Sequence, residues 1–175
     1  CKNIYGLWLK MTILSLVAIA FYQCSAPEST ERQQAYADSV SHVYITTKDS
    51  LQSSWSRMIS DDDEKLFYMK RLLLEVSYTG LYDVNEYNRL VTLVDSLHAF
   101  RYDQFTMTDS DLIDLYDEFS SDVTYQVIQF ARSHPEYEKY GLMQELIADI
   151  SEKNGNILLF RIHYDNYVRE YNQLL

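Results

Sequence analysis

Apolar side chains recur along most of this chain at spacings of three, four and seven, the period of one face of an α-helix. From about Glu31 to Ile59 the positions Tyr36, Val40, Tyr44, Leu51, Trp55 and Met58 form one stripe. Ser60-Asp61-Asp62-Asp63-Glu64 interrupts it, and this predicts an N-cap with carboxylates in the first turn of a second helix. That helix carries Leu66, Met69, Leu73 and Val76 and stops at Thr79-Gly80, where glycine suits a left-handed position past the helix end. Asp83 caps a third helix with Tyr87, Leu90, Val94 and Leu97 turned inward, running to about Arg101. Thr108 or Ser110 opens a fourth with Leu112, Tyr116, Phe119, Val123, Val127 and Phe130 on one face, and Pro135 closes it.

The C-terminal segment carries two interleaved rows. Met143, Ile150, Ile157, Tyr164 and Tyr171 fall seven apart, as do Ile147, Asn154, Arg161, Val168 and Leu175. Such a heptad seam predicts one long helix, bent at Gly155, with Asn154 and Arg161 fixing register or edging the stripe. No segment alternates with a strand period, and only four glycines and two prolines occur in the chain, so the elements are long. The fold expected is all-α, an antiparallel up-and-down four-helix-type bundle over residues 35–175.

The first 23 residues follow another pattern. Lys2 and Lys10 precede an apolar run from Met11 to Tyr22, short of the roughly 20 residues that span a bilayer, and Cys24 follows. This predicts a signal peptide over 1–23, lipid attachment at Cys24 and a flexible tether over 24–34 containing Pro27. Ala18-Ile19-Ala20-Phe21-Tyr22-Gln23-Cys24 resembles the loose lipobox of some Gram-negative groups, departing from the strict form at Gln23. Two or more acyl chains give stable anchoring. An uncleaved helix from Ile4 to Tyr22 is the alternative, with Lys10 near its centre at about 2.5–3.5 kcal/mol. The expected address is the bacterial cell envelope, lipid-anchored to the outer membrane, or the inner membrane if the helix is retained. No cysteine follows Cys24, so the bundle is expected to be stabilised by packing without an internal disulfide.

Charge narrows the partners. The only bases before Cys24 are Lys2 and Lys10, so 13 basic and all 26 acidic residues follow it, a net of −13. Such a surface repels phosphate backbones and excludes nucleic acid bound by charge. The 16 tyrosines suit wide, partly exposed helix faces where the ring packs and the hydroxyl reaches water.

The C-terminal third resembles the closing signature of the LemA family: Pro135, Leu146, Ile150, Ile157, Arg161, Tyr164, Val168, Tyr171 and Asn172 stand at its spacing. Ser54-Trp55 with Leu51 and Met58 is similar to that family's first helix. Two features depart from the pattern: Asp165 replaces an asparagine, and Asp61 to Leu73 replaces the family's Arg-Arg-x-Asp-Leu-Ile-Pro-Asn-Leu stretch. The resemblance implies a membrane-attached antiparallel bundle without established enzymatic activity.

A search for chemistry leaves little. Of His42, His98, His134 and His163, none stands in a Glu-x-x-His arrangement, and Asp95-x-x-His98 is the nearest. Asp109-Ser110-Asp111 with Asp114 lacks the glycine and closing glutamate of a calcium loop and reads as a helix cap. No phosphate loop, Gly-x-Ser-x-Gly or cysteine nucleophile falls within the bundle, so neither a cofactor nor an enzyme is expected. Two readings follow. One is a non-catalytic scaffold or adaptor that binds another envelope protein. The other is a sensory or carrier module for a small apolar or cationic ligand, in a cavity lined by Trp55, Tyr164, Tyr167 and Tyr171.

Overall fold

The structure, a computed structural model, describes residues 27–175, with side chains from residue 30 onward. The expected signal peptide and Cys24 lie outside the described residues. Among the described residues four helices follow in order: α1 (Pro27–Tyr78), α2 (Val84–Phe100), α3 (Ser110–Arg132) and α4 (Gly141–Leu174), with a 3₁₀ turn at Tyr137–Lys139. No strand occurs among the described residues. The architecture is all-α.

α1 differs from the sequence expectation at both its start and its middle. The segment read as a tether is helical from Pro27, and proline suits the first turn because its missing N–H would find no partner there. Ser60 to Glu64 does not interrupt the helix, which runs 52 residues without a break. The acidic run is not a cap: Asp61 and Asp62 are buried, and their carboxylates take partners from other helices instead of from backbone N–H groups at a new helix start.

The chain divides into two compact units, one reaching to Thr47 and the other Lys48–Gln173. In the first, described from residue 27, the stripe positions Tyr36 and Val40 are exposed, with Val43 and Ile45.

The second unit is the bundle. Its cross-contacts fix the chain direction of each helix. Lys70 meets Asp95 and Asp62 meets Arg101, so α2 runs back along α1. Tyr116 meets Asp62 and Ser120 meets Lys65, so α3 runs with α1. Lys153 meets Asp61 and Tyr164 meets Trp55, so α4 runs back again. The order is up, down, up, down.

Met58, Met69, Leu72 and Val76 of α1 meet Leu90, Val94 and Leu97 of α2, Val123 and Val127 of α3, and Met143 and Ile150 of α4 in one core. Each contributes about 1.5–3 kcal/mol gross by leaving water. The expected inward positions of α2 and the row Met143, Ile150, Ile157 and Tyr164 hold, Tyr87 of α2 being half-buried. Leu112 does not. It is exposed one turn before the buried Tyr116, and Ser120 and Ala131 are buried on the inward face of α3. In α4, Asn154 faces solvent and Leu175 is exposed, while the helix continues through Gly155.

The turns use the residues expected of them. Gly80 takes φ 69°, open to glycine without strain. Asp83 accepts hydrogen bonds from Asn85 N and Glu86 N, and Asp109 from Asp111 N and Leu112 N, so both are caps.

Candidate functional site

Two clusters of polar and aromatic side chains form within the bundle, one on the acidic run of α1 and one around Arg161 of α4. Residues 61 and 62 point inward while 63 and 64 lie at the flank, because successive helical positions are turned by about 100°. The run therefore meets cations on more than one side.

Asp62 is the hub. The Lys65 ammonium lies 3.1 Å from its Oδ1, without hydrogen-bond alignment, and both side chains are 3% exposed. Tyr116 donates its hydroxyl proton to Asp62 Oδ2 at 2.6 Å, and Arg101 Nη1 donates to the same oxygen at 3.1 Å. Arg101 also reaches Asp63 at 2.6 Å. Lys65 donates to Ser120 Oγ at 2.8 Å. On the far flank Lys153 of α4 bridges Asp61 at 3.0 Å and Glu64 at 2.7 Å. Every carboxylate of the run is thus paired, by cations from α1, from the end of α2 and from α4.

A second cluster centres on Arg161. It donates two hydrogen bonds to Asp117, one at 2.9 Å and one shorter, and a third to the Tyr102 hydroxyl. Its guanidinium also stands 5.4 Å from the Tyr102 ring centre. Its Nε is buried and has no hydrogen-bond partner. Tyr102 in turn donates to Met58 Sδ at 3.9 Å. Aromatic contacts join the clusters: Tyr102 lies edge-on to Tyr116 at 5.5 Å, and Trp55 lies 6.4 Å from Tyr102 and 5.8 Å from Tyr164.

These surroundings shift several groups. Burial, then the Asp62 charge, hold the Tyr116 hydroxyl well above the ordinary phenol range, and burial raises Tyr102 as well. Burial alone would lower Arg161 and Arg101, but their carboxylate partners outweigh it and both stay firmly cationic. Glu64 and Asp61 raise Lys153.

Among the residues singled out from the sequence, Trp55, Arg161 and Tyr164 come together here, while Val168 and Tyr171 are half-buried further along α4 and Asn172 is exposed. Tyr167 is half-buried. The rings of Trp55 and Tyr164, assigned by one reading to a ligand cavity, pack against each other. Periodicity places Tyr116 on the inward face of its helix and Asp62 in a cap, but does not bring them together with Lys65, Arg101, Tyr102 and Asp117. The only local signal was the i, i+3 spacing of Asp62 and Lys65. Asp95 pairs with Lys70, and among the described residues no group of three or more His, Cys, Asp or Glu is placed to hold a metal ion.

Two clefts adjoin the clusters. A polar one of about 200 Å³ is lined by Lys65, Asp117, Asn154 and Arg161. An almost wholly apolar one of about 300 Å³ lies between Phe100, Leu112, Leu115 and Phe119, with Tyr116 as its floor. No helix among the described residues is long and apolar enough to cross a membrane. Set against family models, curated proteins and solved structures, the chain matches none.

Proposed function

We propose that this chain is a non-catalytic scaffold or adaptor of the bacterial cell envelope, LemA-like in plan and moored to the membrane by lipid on Cys24, whose bundle presents a surface to another envelope protein. The observation that carries this reading is the commitment of the central charges to one another. Asp62 is engaged by Lys65, Arg101 and Tyr116, and Asp117 by Arg161. General acid–base or nucleophilic work needs a group with free capacity facing a substrate. Here the ionised groups cross-tie helices and hold the outer faces in fixed relation, which is what a docking platform requires. The meeting of Trp55, Arg161 and Tyr164 gives the family-like positions a shared structural task.

Two measurements test the reading. Intact-mass spectrometry of protein purified from its native membrane is expected to find a chain starting at an acylated Cys24; an unmodified full-length chain overturns the lipid mooring. Photocross-linking residues placed singly at exposed Leu81, Leu115 and Leu158 in living cells are expected to capture one envelope protein reproducibly from at least one position. No adduct from any of them overturns the scaffold.

A further inference from the structure

We propose that the apolar groove between the end of α2 and the first half of α3 docks a basic amphipathic segment of a partner protein. This rests on the scaffold reading and names the chemistry of the partner.

The groove is built to take apolar side chains. Phe100 is 62% exposed and Leu115 59%, although each belongs to a well-formed helix with an inward face available. Leu112, Leu115 and Phe119 follow at i, i+3 and i+7 along one ridge, the two leucines exposed and Phe119 half-buried against the core, and Phe100 faces Phe119 edge-on at 5.6 Å. The floor is firm: Tyr116 beneath is buried and tied to Asp62. An exposed apolar patch of this kind, set on rigid elements, marks an interaction site.

Charge identifies the occupant. From residue 102 to residue 131 the chain has no lysine, arginine or histidine and seven acidic residues. Asp111, Asp114 and Glu118 occupy the arc of α3 beside Leu115, all exposed, and among the described residues none has a cationic partner. An apolar trough beside an unpaired acidic stripe complements a helix with apolar anchors on one face and lysine or arginine on its edge. The same stripe disfavours a second copy, which carries the same negative charge at the same place, and it repels an anionic lipid surface.

The full chain in nanodiscs of zwitterionic lipid is titrated with a synthetic amphipathic peptide bearing leucine and phenylalanine on one face and lysine on the other, and with its counterpart bearing glutamate for lysine. The lysine peptide is expected to saturate, to shift the amide resonances of Leu112, Leu115 and Phe119, and to bind at least tenfold more tightly than the glutamate peptide. Leu115→Asn, and Asp111→Lys with Glu118→Lys, are each expected to weaken it at least tenfold, while Leu81→Asn leaves it unchanged. Equal binding of the two peptides, or binding indifferent to the α3 variants, overturns the proposal. So does wild-type dimerisation that Leu115→Asn abolishes, or capture by anionic vesicles that depends on Leu115. If the peptide fails while cross-links from Leu81 or Leu158 still capture an envelope protein, the groove assignment falls and the scaffold reading stands.

Discussion

Asp62 and Lys65 stand one helical turn apart in the middle of α1, out of water, and between them they bind the side chains that α2 and α3 bring to the same depth. Removing Asp62 leaves two cations without their shared anion. Breaking a buried pair from one side costs about 3–5 kcal/mol, whereas an exposed pair is worth about 0–1 kcal/mol. Asp62→Ala is therefore expected to destabilise the bundle by about 3–5 kcal/mol in urea unfolding followed by helical circular dichroism. Asp63→Ala, whose side chain is half exposed, should cost no more than about 1 kcal/mol. Equal losses would mean that Asp62 is not the hub.

The contrast between these neighbours explains what the sequence could and could not convey. Apolar spacing is local, so Leu90, Val94, Leu97, Val123 and Val127 are legible from periodicity alone, as are the caps Asp83 and Asp109. Four acids in a row look the same whether they start a helix or cross its middle. What decides is the arrival of Arg101 and Lys153, 39 and 92 positions away from the acids they meet. Trp55, Arg161 and Tyr164 were legible only as members of a pattern, without their partners. Leu112 misled because apolar spacing on α3 continues past the point where the core ends, into the groove.

Arg161 gives the second prediction. A guanidinium can hold both oxygens of Asp117 and the Tyr102 hydroxyl at once, while an ammonium is a point charge on a flexible stem. Arg161→Lys keeps the charge and loses the fork, so it is expected to cost about 1.5–3 kcal/mol, the range for hydrogen bonds to charged groups. A double-mutant cycle of Arg161→Met with Asp117→Asn should give a coupling above about 0.5 kcal/mol, because the two side chains touch. Additive losses would remove the claim that this pair ties α3 to α4.

The tyrosines predict the behaviour in alkali. Tyr116 and Tyr102 hold their protons more tightly in the folded chain than the unfolded value of 10.0. Below pH 10 both states are protonated and the contribution is complete. Above it the unfolded chain releases protons that the folded chain keeps, so stability falls as pH rises, by up to about 1.4 kcal/mol per pH unit for each tyrosine. Tyr116→Phe is expected to lose about 1–3 kcal/mol at neutral pH, through the missing bond to Asp62, yet to decline less steeply above pH 10. An unchanged alkaline slope would place the titrating group elsewhere.

Two glycines make opposite predictions, and their backbones say why. Gly80 sits just past α1 at φ 69°, a conformation that costs an L-residue about 1–2 kcal/mol, so Gly80→Ala is expected to destabilise by about that amount even though an added Cβ meets nothing. Gly155 lies inside α4 with ordinary helical geometry, is exposed, and also has open space where a Cβ would go. There the missing methyl only adds freedom to the unfolded chain, so Gly155→Ala should stabilise by about 0.5–1 kcal/mol. Thermal unfolding of the two variants is expected to move in opposite directions from wild type. A loss at Gly155 would mean that α4 needs the glycine's freedom there.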